Sequence, residues 1–214
     1  MPGDARDVVL ARVRAALGGS DAVGATAVPD GIPRAYRQGG GSPDPPDVIV
    51  ERFCERVGAY RAQVHRATQA SLDDVVAGLL AGRRVLVPAA PPCAVGDGEA
   101  VRDEPPLTAR ELDGADAVLT GCALAVAETG TIVLDGSAAC GRRALTLVPD
   151  QHVCVVRAAQ IVADVPDAIA VLRRRDATRR PITLVSGPSA TSDIELERVE
   201  GVHGPRRLDV VVVA

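Results

Sequence analysis

The chain contains no lysine, because all 24 of its basic residues are arginines. A phosphate-binding P-loop ends in Gly-Lys followed by Ser or Thr, and a Schiff base requires a side-chain amine. The absence of lysine therefore excludes ordinary P-loop ATPases and pyridoxal phosphate enzymes. A chain whose basic residues are all arginine is also typical of a GC-rich genome, and that origin leaves the chemical consequence unchanged.

Aromatic side chains are almost as scarce, at 1% of residues, whereas hydrophobic residues reach 47%. The core must therefore be packed from Val, Leu, Ile and Ala. Aliphatic runs of this kind are typical of parallel strands covered by helices on both faces. The sequence predicts an α/β protein, and 214 residues suit one domain with an N-terminal appendage.

Metal-binding and cluster-binding patterns are also missing from the sequence. None of the five cysteines forms a C-x-x-C pair, which excludes ferredoxin-type and zinc-finger spacing. No H-x-x-x-H motif and no Cys/His cluster occurs, and no G-x-G-x-x-G dinucleotide fingerprint is present. We therefore expect no metal, no cofactor and reduced thiols.

Charge and hydropathy exclude two further classes of partner. The net charge of −4 provides no global field that would attract nucleic acid or an anionic membrane. No apolar run approaches the roughly 20 residues that span a bilayer, and the N-terminus lacks an apolar signal segment. We expect a cytoplasmic protein with no nucleic-acid partner and no membrane insertion.

The chain divides by composition into residues 1–45 and 46–214. Residues 4–17 have helical periodicity with an apolar stripe, and a Gly-, Pro- and Asp-rich linker follows over 18–47. The first helix either docks onto a partner or a second copy of the chain, or packs back onto its own domain. Both interpretations remain open.

From residue 46 onward the pattern alternates between helices and strands, which predicts βαβ units and a mostly parallel sheet. The predicted helices cover 47–62, 72–81, 108–112 and 166–175. The predicted strands cover 63–67, 84–88, 116–120, 131–134, 144–147, 153–156, 182–186 and 208–213. Only turns separate the strands between 131 and 156, so an antiparallel section is expected there.

Three polar, glycine-rich segments follow predicted strands. The first leads from Thr120 to Ala-Glu-Thr-Gly-Thr at 127–131, where Glu128 stands among small and apolar neighbours. Such a setting can raise the pKa of a carboxylate and make it a general acid or base. Alternatively, Glu128 is an acidic cap or a turn residue whose carboxylate bonds backbone amides.

The second segment covers 186–195 and the third 201–205. Small residues and hydroxyls at 186–193 suit a phosphate or carboxylate, although an ordinary strand-to-helix turn uses the same residues. His203 lies between Gly201 and Gly204 in the sequence. It can titrate near neutrality as a ligand-binding residue, or it can form a hydrogen bond with a backbone carbonyl in a tight loop. Because ligands collect at the carboxyl ends of parallel strands, we expect the three segments to meet in one cleft there.

At these segments the sequence resembles the lactate utilization protein C family, which has the LUD domain. The matching stretches are ADAVLTGCALAVAETGTIVLDG at 115–136, LVPDQHVCVVRAAQIV at 147–162 and VSGPSATSDIELERVEGVHGPRRLDVVVV at 185–213. Glu128 falls in the AETGT motif, Asp193 and Glu195 fall in DIE, and His203 falls in GVHGP. The resemblance covers roughly the C-terminal half of the chain.

The resemblance implies a fold like the NagB/RpiA/CoA-transferase group. It also implies a role in oxidising L-lactate to pyruvate beside iron–sulfur partner proteins. Glu128 is the candidate catalytic residue. The candidate ligand-binding residues are Thr129, Gly130, Thr131, Ser186, Gly187, Pro188, Ser189, Thr191, Asp193, His203 and Gly204.

Two functional hypotheses follow. In the first, the chain is a ligand-binding, non-redox subunit of a lactate-oxidising system. In the second, it is a free-standing enzyme of the cyclo-ligase or CoA-transferase type, with Glu128 reacting with a phosphorylated or carboxylated small molecule. Whether the chain is an enzyme by itself stays open, as does its oligomeric state.

Overall fold

The structure is a computed structural model that describes residues 5–16, 35–36, 42–175, 180–188 and 204–214. The chain separates into two units, Met1–Arg37 and Gln38–Ala214. In the first unit, α1 (Ala5–Ala16) confirms the predicted helix, and Val8, Val9 and Val13 on it are exposed. No helix among the described residues is long and apolar enough to cross a membrane.

The second unit is built on a six-stranded sheet. Its strands are β1 (Gln63–Ala67), β2 (Arg84–Val87), β3 (Glu99–Arg102), β4 (Ala117–Thr120), β7 (Gln151–Arg157) and β10 (Arg207–Val213). They lie in the order β1-β10-β7-β4-β2-β3, and every neighbouring pair is parallel. The aliphatic runs in β4, β7 and β10 are buried because both faces of the sheet are covered. The predicted α/β class with a mostly parallel sheet is confirmed.

Among the described residues, four α-helices accompany the sheets: α2 (Pro46–Ala59), α3 (Leu72–Leu80), α4 (Ala109–Asp113) and α5 (Val165–Arg174). Local sequence sets where two of them begin. Thr108 and Glu111 form a capping box at the start of α4. The Asp164 carboxylate accepts a hydrogen bond from the backbone N–H of Asp167 at 2.9 Å, which caps α5.

A second, smaller sheet contains β5 (Leu124–Val126), β6 (Thr131–Leu134), β8 (Ile161–Val162) and β9 (Thr183–Val185), in the order β8-β5-β6-β9. Strand β6 is antiparallel to both β5 and β9, whereas β5 and β8 are parallel. One face of this sheet packs on α5, and the other shares a core with α2 and the large sheet. Helix α3 covers the opposite face of the large sheet.

Several predicted details of the second half were wrong. Residues 144–147 were expected to form a strand, but Arg143–Thr146 is a 3₁₀ helix whose Leu145 packs into the core. Four residues are too few for periodicity to separate the two structures. The segment around 153–156 belongs to the parallel sheet, so β5, β6 and β9 provide the antiparallel section. Strands β3, β5 and β8 were not predicted, because β3 is polar and mostly exposed, and β5 and β8 have only three and two residues.

Candidate functional site

The turn between β5 and β6 contains the predicted catalytic residue. The backbone N–H groups of Ala127 and Glu128 donate to the carbonyls of Val162 at 2.9 Å and Ala163 at 3.0 Å. These bonds hold the turn against the end of β8. The Glu128 side chain is exposed, whereas Ala127 beside it is fully buried. The small and apolar residues beside Glu128 in the sequence therefore do not bury its carboxylate, because the chain reverses at this point and turns the side chain outward.

Two of the predicted ligand-binding glycines lie against α2 and the residue after it. Gly130 has φ +61°, and a Cβ atom there would lie 2.5 Å from the backbone nitrogen of Val57. Gly187 has φ +90°, and its Cβ would lie 2.5 Å from the carbonyl oxygen of Tyr60. Both positions combine a left-handed backbone with a contact that no side chain fits. In this structure both glycines serve close packing.

Three predicted hydroxyl side chains form one continuous chain of hydrogen bonds. Thr131 Oγ1 lies 2.7 Å from Thr129 Oγ1 and 2.7 Å from Ser186 Oγ. Antiparallel pairing of β6 with β9 brings Ser186 beside Thr131, since Ile132 pairs with Val185. Three hydroxyls carry three protons, and two are used inside the chain. The remaining proton can be donated outward at either end.

The described parts of the first two polar segments do not lie where they were expected. The first lies on a hairpin turn of the small sheet, and Ser186 follows β9 of the same sheet. Neither is at the carboxyl edge of the parallel sheet. Antiparallel pairing, rather than a shared edge, brings Thr129, Thr131 and Ser186 together. Ser189, Thr191, Asp193 and His203 lie outside the described residues.

A cavity of about 330 Å³ adjoins Ser186. It lies between β9, the 3₁₀ helix and the amino-terminal parts of β7 and β10. Its lining contains the predicted residues Ser186, Gly187, Pro188 and Gly204. The other lining residues are Arg143, Thr146, Leu147, His152, Thr183, Leu184, Val185, Pro205 and Leu208.

Sequence analysis missed Arg143 and His152 as site residues. His152 stands beside a predicted strand, as many structural histidines do, and Arg143 adjoins a segment that was predicted to be a strand. No pattern in the sequence marks either residue as lining a cavity. Their position depends on how the 3₁₀ helix packs against the start of β7.

His152 is almost completely buried and has a defined partner. Its Nε2 lies 2.8 Å from Thr120 Oγ1, across the neighbouring strands β7 and β4. The Cys154 thiol, two residues further along β7, lies 3.7 Å from the carbonyl oxygen of Gly121. Hydrogen bonds from Cys122, His152 and Thr120 lower the pKa of Cys154, although burial opposes them. The polar floor of the cavity is therefore continuous with a buried thiol cluster.

The pKa values of the other four thiols are shifted in the opposite direction, above the ordinary value. All five cysteines are free. Burial raises the pKa of Cys140 to about 11 and that of Cys93 to about 11. The hydrogen bond with Cys154 and burial raise the pKa of Cys122 well above its usual value. Within the described residues, no group of three or more His, Cys, Asp or Glu side chains is arranged to hold a metal ion.

Comparisons with known proteins give consistent results. The sequence model of the LUD domain matches residues 50–213. Lactate utilization protein C of Deinococcus radiodurans is 53% identical over 169 residues, which cover 77% of this chain and 79% of that protein. Lactate utilization protein C of Geobacillus kaustophilus is 29% identical over 187 residues, which cover 78% and 72%.

A solved structure is also similar. The crystal structure of a DUF162 family protein from Deinococcus radiodurans superposes with a TM-score of 0.70 at 45% identity. The similarity covers 80% of this chain and 100% of that one. The α/β architecture described above is therefore shared with a crystallographically determined relative.

Proposed function

Because the chain belongs to the LUD domain family, we propose that it takes part in lactate utilization as a ligand-binding component without a redox centre of its own. The observation that carries the proposal is its 53% identity to a protein named Lactate utilization protein C, over most of both chains. The reaction in question is the oxidation of L-lactate to pyruvate in the cytoplasm.

The proposal assigns electron transfer to partner proteins. Oxidation of lactate releases two electrons, and the cysteine spacing of this chain fits neither ferredoxin-type clusters nor zinc fingers. Iron–sulfur partner proteins would accept the electrons, while this chain binds a small-molecule ligand or holds the partners together. A complex of this kind is compatible with either a single copy or a homo-oligomer.

We place the ligand site at the β5–β6 turn and the segment that follows β9. The hydroxyl chain from Thr129 to Ser186 supports this choice, because it connects the turn that bears Glu128 with a cavity. Pro188 and Gly204 both line that cavity, and the segment 189–203 joins them. Ser189, Thr191, Asp193 and His203 are therefore proposed as further ligand-binding residues.

Glu128 is the proposed general base or ion contact of the site. A Glu128→Gln variant keeps the size of the side chain but removes its charge and its capacity to accept a proton. In a strain that lacks the gene, complementation with Glu128→Gln should fail to restore growth on L-lactate. The wild-type gene should restore it, and the variant's melting temperature should stay within a few degrees of wild type.

Glu55→Gln is the matched control, since Glu55 is an exposed carboxylate on α2 and lies outside the proposed site. This variant should support normal growth. Normal growth with Glu128→Gln would reduce Glu128 to a turn residue. Normal growth of the deletion strain, in the absence of a paralogue, would remove the lactate role itself.

A further inference from the structure

We propose that the cavity beside β9 binds an organic monoanion whose apolar body is larger than that of lactate, with the anionic group held by Arg143 and Ser186. The assignment rests on the proposed function, in that Ser186, Pro188 and Gly204 are taken there as ligand-binding residues. It goes further by naming the class of ligand and a charged recognition residue. It also implies that lactate is not the molecule that fills the cavity.

The volume of the cavity argues for a ligand larger than lactate. At roughly 30 Å³ for each water-sized group in a liquid, lactate's six non-hydrogen atoms fill only about half of the cavity. The volume of about 330 Å³ instead matches a compound with roughly ten non-hydrogen atoms. It also lies within the usual range of small-molecule sites, which begins at roughly 300 Å³.

The walls of the cavity are mainly aliphatic. Leu208 forms part of the buried floor, and Pro188 and Pro205 contribute further apolar surface. Leu147 and Leu184 lie at the solvent-exposed side, where both remain accessible. A hydrocarbon chain or ring that covers these side chains removes apolar surface from water, which favours binding. A small, strongly hydrated acid such as lactate has no group that can do this.

The charge of the lining is positive. Among the described residues that line the cavity, Arg143 is the one charged side chain and none is a carboxylate. No carboxylate of the described residues pairs with the Arg143 guanidinium, whereas its neighbour Arg142 contacts Asp103 at 2.6 and 2.9 Å. A guanidinium can donate two parallel hydrogen bonds to a carboxylate, so Arg143 is suited to a ligand's anionic group.

Ser186 adds a neutral donor to the same site. When Thr129 donates to Thr131 and Thr131 donates to Ser186, the proton of Ser186 is left to donate into the cavity. An anion near Ser186 favours this direction of the hydroxyl chain, because each hydrogen bond strengthens the next. The hydroxyl chain therefore acts as a positioning device for an anionic ligand.

Calorimetric titration of the full chain with octanoate, L-lactate and octan-1-ol tests the assignment. Octanoate has both the apolar body and the negative charge. Lactate lacks the apolar body, and octan-1-ol lacks the charge. We expect one octanoate per chain, with a Kd at least tenfold lower than that of either other compound. Arg143→Gln should weaken octanoate binding at least tenfold, and Ser186→Ala should weaken it by a smaller factor.

Arg110→Gln is the matched control, because Arg110 is exposed on α4 and does not line the cavity. Its octanoate affinity should equal that of the wild type. Octanoate binding that is no tighter than lactate binding, or that is unchanged in Arg143→Gln, would overturn the assignment. Failure of the lactate role is seen separately, in the growth of the deletion strain, and leaves these binding results standing.

Discussion

Two clusters of polar side chains in this protein, one fully buried and one half-buried, differ in chemistry. At the amino ends of β1, β10 and β7, the fully buried Asp209 is surrounded by donors. Its carboxylate lies 2.7 Å from Arg207 Nε, 2.9 Å from His65 Nε2 and 2.7 Å from Gln151 Nε2. In the hydroxyl chain, by contrast, Thr129, Thr131 and Ser186 are all neutral.

The difference separates a group that stabilises the fold from one that can serve a ligand. Burial raises the pKa of Asp209, but hydrogen bonds from Arg207, Gln151 and His65 outweigh it, so the pKa lies below its usual value. The charged carboxylate of Asp209 therefore binds side chains on three neighbouring strands, β10, β1 and β7. The hydroxyl chain, with one uncommitted proton beside a cavity, has bonding capacity left for a ligand.

Removal of the buried charge should have the largest effect. Asp209→Asn removes the charge that accepts hydrogen bonds from Arg207, Gln151 and His65, and each such bond to a charged group contributes about 1.5–3 kcal/mol to the free energy of unfolding. Urea unfolding should show this decrease in the free energy of unfolding. Asp150→Asn is the control, because its pair with Arg206 is exposed and should contribute less than about 1 kcal/mol.

The dependence of stability on acidic pH should reveal the charged Asp209 cluster, because the hydroxyl chain has no group that titrates in this range. The folded pKa of Asp209 is lowered, so its contribution is complete above the unfolded pKa of about 3.9 and is lost as the pH falls through the folded value. The wild-type free energy of unfolding should decline below about pH 4, and Asp209→Asn should decline less steeply. Equal slopes for the two proteins would contradict the assignment of the charge to Asp209.

A smaller effect is expected where the β5–β6 turn contacts α2. Gly130→Ala must keep a positive φ and also push its Cβ towards the backbone of Val57, at 2.5 Å. Gly136 has φ +66° but open space around it, so Gly136→Ala carries only the backbone strain of about 1–2 kcal/mol. The contact should add about 1–3 kcal/mol for Gly130→Ala. Similar melting temperatures for the two variants would mean that the turn can move away from α2.

The smallest effect should come from the neutral chain. Thr131→Val keeps the shape of the side chain and removes the central hydroxyl, which should cost about 1 kcal/mol because Thr129 and Ser186 can turn towards water. A double-mutant cycle with Ser186→Ala measures the coupling between the two hydroxyls. We expect a coupling of about 0.5–1 kcal/mol, and strict additivity would argue against a direct bond.

Periodicity predicted the long elements of this fold well. The aliphatic runs that became β2, β4, β7 and β10 were each located, as were α2, α3 and α5. Strands β3, β5 and β8 were missed, because β3 is polar and β5 and β8 contain too few residues to show a pattern. The 3₁₀ helix was mistaken for a strand for the same reason, although its position decides one wall of the cavity.

The candidate site was predicted with less success. The hydroxyls of Thr129, Thr131 and Ser186 were selected from their motifs, and the structure places them within hydrogen-bonding distance of each other. The reason for selecting them, a shared carboxyl edge of parallel strands, was wrong. Arg143 and His152 were not selected, because neither stands in a motif.

The sequence alone determined which residue types could carry chemistry and which classes of protein were excluded. The absence of lysine and of paired cysteines is a matter of composition and spacing, and folding cannot change it. Tertiary structure decided which of the remaining groups meet. The antiparallel pairing of β6 with β9 joins residues 55 positions apart into one hydroxyl chain, and the packing of the 3₁₀ helix against β7 places Arg143 at the same cavity. Such long-range contacts depend on burial and strand pairing across the whole unit, which no local pattern specifies.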